Sequence, residues 1–115
     1  MPISISSGRT VDDAYRTPKA ISLDDHVEDE LWKLIGRLTR ELRQLRRLGP
    51  APTCSDETFS PDEIPALVRD IEYLVTEGSE VGALLTSPLK QGLKRLLAFL
   101  QQAESTNSFV HAHIE

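Results

Sequence analysis

Phe109-Val-His-Ala-His-Ile-Glu115 changes character every second residue and follows directly on a long helical pattern. Side chains two apart on a strand share a face, so Val110, Ala112 and Ile114 fall on one side and Phe109, His111 and His113 on the other. This stretch decides the fold class, because it adds a strand to a chain whose middle otherwise reads as helix. Ahead of it, Ser105-Thr-Asn-Ser108 reads as a turn. Further upstream, Leu89, Leu93, Leu96, Leu97 and Leu100 recur at helical spacing. Ser87-Pro88 opens that helix with a cap and a proline in the first helical position.

Two further amphipathic helices precede it. Asp24 and Asp25 are candidate N-caps for the first. Its apolar arc is Val27, Leu31, Leu34, Ile35, Leu38, Leu42 and Leu45, and Gly49-Pro50 stops it. Glu28, Asp29 and Glu30 crowd its start and Arg43, Arg46 and Arg47 its end, which complements the helix dipole. Ala51 to Phe59 reads as a loop. Ser60-Pro61-Asp62-Glu63 fits a capping box for the second helix, whose arc is Ile64, Leu67, Val68, Ile71, Leu74 and Val75, with Gly78 as its end. Ser79 to Thr86 reads as a partly apolar connection.

Near the start, Pro2 to Ser7 and Lys19 to Leu23 each alternate, placing Ile3 with Ile5 and Ile21 with Leu23 on single faces. Thr10 to Pro18 is polar and irregular. The expectation is therefore a single α+β domain over residues 1–115: three main amphipathic helices packed on a small sheet of two N-terminal strands and one C-terminal strand.

Composition narrows the function classes. A net charge of −5 disfavours general affinity for nucleic acid or anionic membrane and favours a basic partner. Cys54 is the sole cysteine, which rules out an internal disulfide. No stretch reaches the ~18 consecutive apolar residues of a membrane span. The opening residues lack the basic and long apolar regions of a secretory signal, so a cytoplasmic setting is expected.

Residues that could carry chemistry have plainer roles at this level. His111 and His113 present two imidazoles on one strand face, a partial zinc-ligand set for which the sequence nominates no third member. No metal or other cofactor is expected on that basis, and a small metal-dependent enzyme using His111 and His113 is the remote alternative. Cys54 has no motif around it that would activate a thiol. No Gly-x-Ser-x-Gly elbow or Ser-x-x-Lys pair is present. The stripe Lys33, Arg37, Arg40, Arg43, Arg47 reads as a solvated helix face rather than a phosphate-binding one, since Glu41 interrupts it. Trp32 falls off the leucine arc and beside arginine, as interface hot spots often do. Asp56, Glu57, Asp62 and Glu63 surround one loop and helix start, where they could meet a basic surface.

Phe59-Ser-Pro-Asp-Glu-Ile-Pro-Ala-Leu67, the run from Leu93 to Ala103 with its Phe99-Leu-Gln-Gln-Ala103, and the final short strand resemble small bacterial immunity proteins of polymorphic toxin systems. In that family a Phe-x-Pro-x-Glu-Leu helix start precedes a late helix ending near an alanine, followed by a strand. The resemblance spans about half of the chain and rests on structural motifs, so no functional residue carries over. It implies a non-enzymatic cytoplasmic protein that inhibits a protein partner, such as a basic toxin domain. Trp32, Asp56, Glu57, Asp62 and Glu63 are the residues expected to bind that partner. The rival expectation is a structural or regulatory subunit that forms a homodimer through Trp32 and the first helix.

Overall fold

The computed structural model describes residues 3–18, 20–37, 42–48, 55–76 and 85–114. The architecture is α+β. In chain order it contains β1 (Ile3–Gly8), α1 (Val11–Arg16), β2 (Ile21–Leu23), α2 (Asp25–Gly36), a 3-10 turn (Leu45–Leu48), β3 (Ser55–Phe59), α3 (Ile64–Val75), α4 (Ser87–Ser105) and β4 (Phe109–Ile114). The sheet is antiparallel, with order β2-β1-β4-β3. The last strand thus lies between the first and third.

Register divides the sheet into two unlike faces. Ile3 pairs with Leu23 and Ile114, Ile5 with Ile21 and Ala112, and Phe59 with Val110. These side chains point the same way and, except for the half-buried Ile21, join Leu31, Ile35, Leu67, Ile71, Leu93, Leu96 and Leu100 in one core. The opposite face carries Ser4, Ser6, Asp56, Thr58, His111 and His113. Only the six-residue α1 packs against that second face among the described residues, along β1 and β4.

Local chemistry sets the helix starts. Asp24 accepts the backbone N–H of Val27 at 2.9 Å, which caps α2. Thr86, one residue earlier than the expected Ser87, caps α4 by accepting from Leu89 at 3.4 Å. The expected capping box forms by half: the Ser60 N–H donates to Glu63 Oε1 at 3.0 Å, while the Ser60 hydroxyl turns to the same carboxylate. The ordered helix begins later, at Ile64, with Pro65 in its first turn. Gly92 brings α4 close to β2 and α2, since a Cβ there would sit 3.3 Å from both Leu23 and Val27 side chains.

Three expectations need correction. The sheet has four strands, because Ser55–Phe59, expected as loop, pairs with β4 as an edge strand. Thr10 to Pro18 is not wholly irregular. Thr10 caps α1 by accepting from Asp13 at 3.1 Å, and Ala14 buries against the sheet. The first long helix does not run on to Leu48. It ends at Gly36, Leu42 adopts a left-handed φ of 47°, and a 3-10 turn follows. Leu42 and Leu45 are nevertheless buried as their spacing implied. Asp70 of α3 takes over the capping, accepting from the N–H groups of Gln44 at 3.0 Å and Leu45 at 3.1 Å. Leu38, Arg40, Glu41, Gly49-Pro50, Cys54, Gly78, most of the Ser79–Thr86 connection and Glu115 lie outside the described residues.

Glu63 gives the fold an acid-sensitive joint. The Ser60 N–H holds its carboxyl below the ordinary range, burial opposes this, and the Arg47 guanidinium adds to it. A carboxyl depressed in the folded state adds stability above its unfolded value, and that contribution is lost as pH falls through the folded one. Glu63→Gln is therefore expected to be less stable than wild type at neutral pH. Urea unfolding should show the gap closing as pH falls below the ordinary carboxyl range. A gap that stays constant across that range would contradict the assignment.

Candidate functional site

Asp56 and His113 are 57 residues apart in sequence yet directly opposed on β3 and β4. Their side chains leave the sheet on the face away from the core, where His113 Nδ1 lies 2.9 Å from Asp56 Oδ1. An ionised carboxylate only accepts, so the imidazole donates. His111, two residues earlier on the same face, places its Nε2 3.0 Å from the same oxygen. Two imidazoles therefore converge on one carboxylate oxygen. The His113 hydrogen bond holds the Asp56 carboxyl below its ordinary range, against a burial effect that raises it.

The three groups differ in exposure. His111 is 3% exposed, whereas the Asp56 side chain is 50% exposed. α1 accounts for this, because the Tyr15 ring meets His111 edge-on with centroids 5.0 Å apart. α1 itself is held by Ser6, fully buried, whose hydroxyl donates to the Ala14 carbonyl at 2.6 Å. Gly8 permits that approach: a Cβ there would lie 2.5 Å from the Ala14 nitrogen. Tyr15, Asp56, His111 and His113 line an open cleft of about 290 Å³. Tyr15 and Val11 are the exposed large apolar side chains among the described residues.

On the core-facing side of β3, Arg47 organises the remaining acidic residues. It donates to Glu63 Oε2 at 2.6 Å, to Glu57 Oε2 at 3.1 Å and to the Thr58 carbonyl at 2.8 Å. Its guanidinium also stacks 4.2 Å above the Phe59 ring. Arg47, read from sequence as part of a solvated stripe, is instead a half-buried clamp joining the 3-10 turn, β3 and the start of α3. Asp62 remains exposed at that corner.

The structure thus gathers Glu57, Asp62 and Glu63 at one corner, turns Asp56 to the opposite face of β3, and sets Trp32 apart. Trp32 lies half-buried against the core and donates from Nε1 to Glu28 Oε1 at 3.1 Å, with Glu28 itself buried. His111 and His113 share their face as the alternation implied. Sequence reasoning did not find Tyr15 or the pairing of Asp56 with the histidines. Only the strand assignment of Ser55–Phe59 could have exposed that pairing. Comparison with protein-family models, curated proteins and solved structures found no match. No helix among the described residues is long and apolar enough to cross a membrane.

Proposed function

We propose that this chain is a non-enzymatic binding protein that inhibits a protein partner through the acidic edge made by β3 and the start of α3. Its specific form is a toxin-neutralising immunity protein acting in a bacterial cytoplasm on a basic toxin domain. The supporting observation is that a single guanidinium, Arg47, fixes Glu57 and Glu63 together near the exposed Asp62, while Asp56 leaves the opposite face of the same edge strand. Several carboxylates on a rigid corner make a preorganised counterpart for lysine and arginine, and they steer a basic partner inward from solution. The exposed Tyr15, which shares a cleft with Asp56, offers apolar contact on the other sheet face.

Co-expression with the product of an adjoining toxin-like reading frame tests this reading. Restored growth and a complex that purifies intact are expected. Undiminished toxicity with no complex would contradict it.

A further inference from the structure

We propose that Asp56, His111 and His113 bind a divalent first-row transition ion of the zinc class. The proposal shares Asp56 and Tyr15 with the partner reading but does not rest on it, since ion binding is read on the chain alone.

The donor set is the first reason. Two imidazole nitrogens and one carboxylate oxygen suit zinc, cobalt, nickel and iron, and they discriminate against magnesium and calcium, which take all-oxygen shells. The spacing is the second. Donors ~2.0–2.2 Å from a tetrahedral ion lie roughly 3.3–3.6 Å from one another. The two imidazole–carboxylate separations, 3.0 and 2.9 Å, fall a few tenths of an ångström short of such edges, so a small opening of each contact brings them to coordination spacing.

Anchoring is the third. The three side chains rise from two hydrogen-bonded strands in fixed register, and Tyr15 packs against the His111 ring. Sites built on paired strands hold their ligands in place better than sites on loops. Among the described residues no lysine or arginine lines the cleft to compete for the carboxylate.

At present Asp56 Oδ1 lies between the rings, and among the described residues no three such donors surround a common centre. The ion enters by replacing both imidazole–carboxylate contacts. The coordinating nitrogens give up their protons to the other ring nitrogen or to solvent, and the half-exposed Asp56 carboxylate turns to complete the set. Three protein donors leave a coordination position for water, and the open cleft gives it room.

The experiment uses the full chain without an affinity tag, stripped by chelator. Zn²⁺ binding is followed by calorimetry and Co²⁺ binding by visible absorption. Saturable binding of one ion per chain is expected, undisturbed by excess Mg²⁺. Asp56→Asn and His113→Ala, both at partly exposed positions, should each weaken it at least about tenfold. Circular dichroism verifies that each variant remains folded. His26→Ala should leave binding unchanged. Absence of saturable binding overturns the proposal, as does binding that survives Asp56→Asn and His113→Ala or disappears with His26→Ala.

Discussion

Phe59→Ala is expected to cost about 3–5 kcal/mol of unfolding free energy, as truncation of a fully buried aromatic does. Phe59 is 0% exposed, points into the core from the edge strand, and supports the Arg47 guanidinium on its ring. Three losses coincide: the transfer energy of the ring, the cavity it leaves, and the stacking surface for the clamp. Stabilities of chains this size are on the order of 5–15 kcal/mol, so the effect is a large share of the total. Denaturant unfolding should show a lower midpoint with an unchanged slope. A change within ~0.5 kcal/mol would mean that Ser55–Phe59 is a surface loop after all.

Gly8→Ala should be the next most damaging. The added carbon would lie 2.5 Å from the Ala14 nitrogen, 2.6 Å from the Asp13 carbonyl carbon and 2.7 Å from the Asp13 Cβ. Two of these atoms are backbone, so no rotamer change relieves the overlap. Overpacking of this kind costs ~1–3 kcal/mol, and the tight backbone contact points to the upper end. α1 has six residues, too few to persist as an isolated helix, so separation from the sheet should also melt it. The Ser6 hydroxyl would lose the Ala14 carbonyl and His111 would lose its cover. Amide exchange in Val11–Arg16 should accelerate well beyond that in α4. Unchanged protection there would show that α1 does not depend on the close approach at Gly8.

These two residues also mark what could be read from the chain and what could not. β4 was legible because Val110, Ala112 and Ile114 alternate with histidines over an uninterrupted run. The leucine stripes of α3 and α4 were legible for the same reason at helical period. β3 was not. Ser55-Asp-Glu-Thr carries no apolar residue, and a charged edge strand uses those residues to deter further pairing, so only Phe59 signals a buried face. α1 was illegible because its stability comes from docking on β1 and β4 rather than from its own pattern. The first helix misled in a different way. Leu42 and Leu45 keep the spacing of a buried stripe, yet a left-handed residue and a cap from Asp70 reach the same burial by a turn. Asp56 could not be joined to the histidines without β3, which is why the third donor of the proposed ion site became visible only in three dimensions.

Charge-dependent association addresses the proposed function most directly. The association rate constant with the basic partner would be measured against ionic strength for wild type, Asp62→Lys, and Asp12→Lys as a control on α1. Asp62 lies on the acidic corner, exposed and outside the Arg47 clamp, whereas Asp12 pairs with Arg16 at 3.6 Å on the surface of α1. Asp62→Lys should slow association about tenfold at low salt, with the difference shrinking as salt screens it, while Asp12→Lys stays near wild type. Equal rates for all three proteins at low salt would contradict an acidic binding edge on β3 and α3.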